Sequence, residues 1–362
     1  MPNSLLFQPY EFRNHTARNR VWISPMCQFS VDEQDGKVTD WHLVHLGAFA
    51  TGGAGLIVVE ATAVVPEGRI SPWDLGIWSD EHIAPLRRIT DFLHQQGALA
   101  GIQLAHAGRK ASTSRPWAHE QRISVDIADG GWQPVAPSAI SVDGFNEPRA
   151  LTAEEIEVIP DAFVAAALRA KAAGFDLLEI HAAHGYLLHE FLSPLSNTRS
   201  DDWNGSLENR ARLTRNVVRA VVAAVPDLDV IVRFSATDWA EGGWNEDETA
   251  IVAKWVIEDG AQLVDISTGG LISDVTIPIG PGYQVPFAAS VRAAAGVPTA
   301  SVGIITDAAQ AEQILQDGAA DAVFVGREAL RDPHVANRWA FELGAEPHLP
   351  PQYLRAPFRR RA

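Results

Sequence analysis

Eight short runs of almost uninterrupted apolar residues constrain this chain more than any other feature. They are Val21–Ser24, Leu56–Glu60, Leu99–Leu104, Leu177–Ile180, Val230–Phe234, Leu263–Ser267, Thr299–Val302 and Ala322–Val325. Runs this short with no polar face suit strands covered on both sides, as in a parallel sheet with helices packed against it. The helices are legible between them. Thr152-Ala-Glu-Glu155 is a capping box opening an alanine-rich helix that reaches Gly174, with Pro160 inside its pattern. Asp80–Gln96, Leu207–Ala224, Asn245–Glu258 and Asp307–Gln316 are four further helical stretches, each closed by glycine or proline signals. Eight strand–helix alternations predict a closed (β/α)₈ TIM barrel.

A doubly wound open sheet fits less well. No G-x-G-x-x-G follows an early strand, and Gly52-Gly53-Ala54-Gly55 precedes a strand, where it reads as a helix stop. The length of 362 residues is ordinary for a barrel folded as a single domain. Two stretches, 108–150 and 271–284, lack periodicity and follow strand ends. They are expected to be loops over the catalytic face of the barrel.

Charge narrows the partners. A net charge of −16 repels nucleic-acid phosphates and anionic membranes, so neither is expected as a partner. The single cysteine, Cys27, rules out an intramolecular disulfide and a cysteine-only metal or iron–sulfur site. The first residues carry no basic segment followed by a long apolar run, and cytoplasmic location is the expectation.

Chemically able residues gather at one end of the runs: Ser24-Pro25-Met26-Cys27, Glu60-Ala61-Thr62, Gln103 with His106, His181 to Tyr186, Arg233, Gly303 and Gly326-Arg327. In a barrel the C-terminal ends of the strands form the active-site rim. The pair His181 and His184 with Tyr186 can be read as two imidazole donors and a phenol aimed at a reacting carbonyl compound. It can also be read as a metal site completed by His189 or Glu190, or as packing. A Schiff-base lyase needs a lysine, and none of Lys37, Lys110, Lys171 and Lys254 ends a predicted strand. A non-catalytic carrier or sensor using Cys27 as a redox switch would leave the histidines and the tyrosine without a purpose.

Six segments carry a family resemblance: Ser24-Pro-Met-Cys27, Gln103-Leu-Ala-His-Ala-Gly-Arg-Lys110, the run His181 to Asn197, Gly205-Ser-Leu-Glu-Asn-Arg210, Pro281-Gly-Tyr-Gln284 and Val325-Gly-Arg-Glu328. With them the chain resembles the Old Yellow Enzyme family, in its bacterial thermophilic-like subclass, over nearly its whole length. The resemblance implies non-covalent FMN, NAD(P)H as reductant with NADPH favoured, and reduction of α,β-unsaturated carbonyl or nitro compounds. It implies His181, His184 and Tyr186 as the catalytic set. Flavin contacts would come from Ser24, Pro25, Met26, Cys27, Ala61, Gln103 and Arg233, and phosphate contacts from Gly303, Gly326 and Arg327. The subclass usually has tyrosine two residues after the cysteine. Here Phe29 keeps the ring at the substrate without its hydroxyl. The tail, about 345–362, resembles a segment whose arginine enters a neighbouring subunit's site, which makes Arg355 a substrate contact in a homodimer or homotetramer. Arg359-Arg360-Arg361 follow it.

Overall fold

The computed structural model describes residues 4–118, 123–142 and 144–358; Arg359, Arg360 and Arg361 lie outside the described residues. Eight parallel strands close into one barrel: β1 (Val21–Ile23), β2 (Leu56–Ala63), β3 (Leu99–Ala105), β4 (Leu177–Ala182), β5 (Asp229–Ser235), β6 (Leu263–Ser267), β7 (Thr299–Ser301) and β8 (Ala322–Val325). β8 pairs back onto β1, with Val325 opposite Ile23, so the sheet has no free edge. An open doubly wound sheet is thereby excluded. At least one helix follows each strand, and the longest after each are α1 (Asp40–Thr51), α2 (Ile83–Gln95), α3 (Ile159–Ala172), α4 (Leu207–Ala224), α5 (Glu246–Glu258), α6 (Val285–Ala295), α7 (Ala308–Gln316) and α8 (Val335–Leu343).

The apolar runs cover two cores because side chains alternate across a strand. Leu178, Ile180, Val230, Val232, Val264 and Ile266 face the helices and belong to the main core. Trp22, Leu56, Val58, Leu177, Ile231, Leu263, Ala300 and Phe324 face inward and fill the lower barrel. The N-terminal hairpin, Tyr10–Glu11 against Thr16–Ala17, plugs the bottom. Phe12 lies against Trp22 at 5.3 Å between ring centroids, and Trp22 meets Phe324 edge-on at 5.5 Å.

Three details depart from the expectation. The helix at 152–174 is two helices, Ala153–Glu157 and α3, because Pro160 has no N–H to give and fits only in a first turn. Asp80–His82 is a 3₁₀ turn leading into α2. β2 runs on past Glu60 to Ala63, and its register against β3 shifts between Val59 and Thr62. Such a bulge turns the strand locally and re-aims the side chains at its end. The two loops without periodicity do meet over the C-terminal rim: Arg109 Nη2 donates to Leu271 O at 2.7 Å, and Lys110 Nζ donates to Gly270 O at 2.8 Å.

Candidate active site

Going up the inside of the barrel, every second residue changes character. β4 reads Leu177, Glu179, His181; β5 reads Ile231, Arg233, Ser235; β6 reads Leu263, Asp265, Ser267. Apolar packing gives way to buried charge and then to polar groups at the rim. Arg233, 4% exposed, is the hub of that middle layer. Its Nε lies 2.9 Å from Asp265 Oδ2, and Nη2 donates to Ser24 Oγ at 3.2 Å. Gln103 on β3 donates from Nε2 to Glu179 Oε2 at 2.6 Å. Ser24, Gln103 and Arg233, taken from three strands far apart in sequence, therefore share one layer.

The histidine segment sits above it. His181 is opposite Arg233 in the ladder. Its ring meets those of His184 at 5.2 Å and Tyr186 at 5.0 Å, both edge-on. The backbone supports this cluster at some conformational cost. His184 has φ +61 and is followed by Gly185 at φ +71. A left-handed non-glycine residue is strained, and such strain collects at functional sites. Gly185 is required there, since a Cβ would lie 2.4 Å from Gly270 O. His189 Nδ1 accepts from Gly185 N at 2.9 Å, and its Nε2 lies 3.0 Å from buried Asp238. Phe29 is also left-handed, at φ +50.

Burial, reinforced by Arg233, lowers both His181 and His184 well below the ordinary imidazole range, so both are neutral. Each then offers one N–H. His181 Nδ1 is buried with no hydrogen-bond partner among the described residues, an orphan that a ligand can satisfy. His184 Nε2 is 2.8 Å from Ser267 Oγ. Ser267 Oγ donates to Gln284 Oε1 at 3.2 Å, so it accepts from His184 Nε2–H, and a ligand oxygen takes that N–H by displacing Ser267.

A cavity of about 310 Å³ leads outward from His184 and Arg233 past Ser267, Gln284 and Gly303 to Gly326, Arg327 and Arg331. Among the described residues Arg327 has no hydrogen bond or ion pair of its own. Gly303, at φ +120, is forced by both its conformation and its neighbour: a Cβ would lie 2.8 Å from Gln284 Nε2. Gly326 is open, its nearest neighbour to a Cβ being Met26 Sδ at 3.7 Å. The cavity thus joins the barrel mouth at Met26 and Arg233. Pro25, Met26 and Cys27 are half-buried along that mouth. Cys27 packs in one cluster with Phe29, Ala61, Trp73 and Tyr186, which places the cysteine on the phenol's side of the opening.

An orphaned imidazole nitrogen, a fixed guanidinium and a free arginine beside two glycine turns fit a long anionic cofactor with a polar ring edge. They suit a metal less well: His189 is committed to Asp238, and Glu190 Oε1 accepts from Arg109 N at 2.8 Å. Among the described residues no group of three or more His, Cys, Asp or Glu side chains could hold a metal ion. Three site residues were missed in the sequence reading. Lys110 ends no strand, yet its Nζ donates to His184 O at 2.9 Å and lies 5.2 Å from the Tyr186 ring centroid. Its Nζ is held by two backbone carbonyls and is not presented to the cavity as a Schiff-base nucleophile. Glu179 and Asp265 were visible as charges inside apolar runs. Arg355, by contrast, is exposed and does not line the cavity of its own chain.

Comparison with known proteins agrees with this geometry. Residues 5–345 match the model of the NADH:flavin oxidoreductase / NADH oxidase family. An NADPH dehydrogenase of Halalkalibacterium halodurans is 47% identical over 351 residues, covering 97% of this chain and 98% of the relative. One from Listeria innocua is 47% identical over 354 residues, covering 98% and 99%. Among solved structures, morphinone reductase superposes with a TM-score of 0.78 at 29% identity, covering 94% of this chain and 90% of that one. The old yellow enzyme homologue from Zymomonas mobilis gives 0.77 at 29%, covering 94% and 93%. The chain therefore belongs to the NADH:flavin oxidoreductase / NADH oxidase family and is an FMN-dependent oxidoreductase of the Old Yellow Enzyme type.

Proposed function

We propose that this enzyme uses NADPH to reduce the activated C=C bond of α,β-unsaturated carbonyl or nitro compounds in a ping-pong cycle. The observation that carries the reading is the packing of His181, His184 and Tyr186 against one another above Arg233. NADPH is favoured because the most similar relatives reported above are named for it.

In this reading each residue has a task. Arg327 and the backbone N–H groups around Gly303 and Gly326 hold the FMN phosphate. Arg233, Gln103, Ser24, Pro25, Met26, Ala61 and Cys27 would hold the ring, with Arg233 and Gln103 supplying the polar contacts. Bound FMN supplies hydride uptake from the nicotinamide and hydride delivery to the substrate β-carbon. The chain's residues handle the charge and the proton. Negative charge gathers on the substrate oxygen, and N–H groups of His181 and His184 meet it. Tyr186 gives its phenolic proton to the α-carbon, with Lys110 beside its ring favouring the phenolate that remains. Phe29 adds an apolar wall without a third donor. The tail from about 345 is assigned to a neighbouring subunit of a homodimer or homotetramer, where Arg355 reaches the partner's substrate. Cytoplasmic location fits a catalyst fed by NADPH.

Purified protein should be yellow, NADPH should bleach it without oxygen, and cyclohexenone should restore the colour. A yellow protein that NADPH bleaches and cyclohexenone cannot reoxidise would instead favour a flavin carrier.

A further inference from the structure

Two carboxyl groups and one guanidinium share the middle of the barrel, and their hydrogen bonds do not balance. Glu179 and Asp265 are both fully buried. Glu179 Oε2 accepts from Gln103, but Glu179 Oε1, Asp265 Oδ1 and Asp265 Oδ2 have no in-line donor. Arg233 Nε approaches Asp265 Oδ2 as a charge contact at 2.9 Å. Two buried carboxylates facing one cation would leave a net negative charge and three unsatisfied acceptors, which is costly. The two carboxyl groups lie within hydrogen-bonding reach of each other. One proton between them supplies the missing donor and removes the excess charge.

We propose that Glu179 is a positioning residue that shares one retained proton with Asp265, and that this proton keeps Gln103 and Arg233 aimed at the flavin with no excess negative charge beneath it. The proposal rests on the placement of the FMN ring edge at Gln103 and Arg233. With Gln103 Nε2 committed to Glu179, the amide presents its carbonyl oxygen to the ring edge. With Asp265 the only charged carboxylate of the pair, Arg233 is balanced one to one. The charged groups acting on Glu179 are Arg233 and Asp265, and His181 above them is neutral. Burial pushes the Glu179 carboxyl up to about 8 and raises Asp265 as well. Loss of the proton would put a second negative charge under an anionic reduced flavin and disfavour reduction.

Glu179→Gln mimics the protonated acid, accepting from Gln103 and donating to Asp265; Glu179→Leu does neither. Well below about 8, the potential of bound FMN in Glu179→Gln should match wild type. Well above it, wild type should fall below Glu179→Gln. Relative to Glu179→Gln, the wild-type ratio of reduced to oxidised flavin at fixed potential should drop by up to about a further tenfold per pH unit, the limit for one linked proton beyond the one the flavin itself takes up. Glu179→Leu should weaken FMN binding to the apoprotein, and Glu179→Gln should restore it. Infrared spectra of the apoprotein at neutral pH should show a protonated-carboxyl band in wild type that Glu179→Gln removes. An offset between wild type and Glu179→Gln that is the same at every pH, or no carboxyl band lost on substitution, overturns the proposal. Failure of the ring placement would look different. The carboxyl band would persist, Arg233→Met would bind FMN as tightly as wild type, and the flavin half of the proposal would fall.

Discussion

The lower and upper halves of the barrel interior are built from the same strands with the same alternation, yet they obey different rules. Below, Leu177, Ile231 and Leu263 pack against Trp22 and Phe324. Two positions further along the same strands stand Glu179, Arg233 and Asp265. An apolar layer needs only volume and shape, so many sequences satisfy it. A buried polar layer needs every partner present, and losing one strands the others. The candidate site lies where substitution is least forgiving, on top of an apolar layer that supplies rigidity.

That contrast can be broken at either end. The largest effect is expected at Arg233→Met, which removes the cation that faces Asp265 in the charged layer. Breaking a buried pair costs about 3–5 kcal/mol, and FMN should be lost on dilution. Thermal unfolding and FMN titration of the apoprotein measure the two effects separately. Leu263→Ala in the lower layer should cost about 2–5 kcal/mol of stability through a cavity, while turnover per folded, FMN-loaded molecule stays at wild type. A comparable loss of turnover would erase the distinction between the layers.

Tyr186→Phe keeps the ring and removes the proton. Reoxidation of reduced enzyme by cyclohexenone should slow about 10²-fold, the low end for a positioned acid, with flavin reduction by NADPH little changed. Glu190 tests burial alone. Burial pushes its carboxyl up to about 8 from an ordinary 4.5. The folded state then binds a proton that the unfolded state has released, so its contribution to stability is complete below 4.5 and is lost as pH rises to about 8. Glu190→Gln should flatten that part of the melting-temperature profile. The smallest effect is expected at Phe29→Tyr, which restores a phenol and should shift KM or substrate preference across a panel of enones. Identical kinetics would show that the ring alone matters at this position.

Most of the barrel was legible in the sequence because each strand announces itself by a short apolar run and α2, α3, α4, α5 and α7 by signals at their ends, whereas α1, α6 and α8 did not stand out as helices. What was hidden is physical in origin. Pro160 splits a helix at a point that propensity cannot fix to the residue, and the bulge after Val59 depends on pairing with β3. The histidines, Tyr186 and Arg233 stood out because their residue types are unusual at strand ends. Lys110 could not be found that way, since a long side chain enters the site from a loop. Glu179 and Asp265 carried a signal that strand-end reasoning overlooks: a charge within an apolar run, two residues beyond an inward-facing leucine. Arg355 depends on a second subunit and is exposed in the single chain.

In the proposed mechanism His181 and His184 act on the substrate oxygen. The direct measurement is the reoxidation of NADPH-reduced His181→Ala/His184→Ala enzyme by cyclohexenone and, separately, by dioxygen. Removing both donors should slow the enone reaction by at least about 10³-fold, the scale of lost oxyanion stabilisation, and leave the dioxygen reaction near wild type. Equal loss with both oxidants, or an undiminished enone rate, would contradict it.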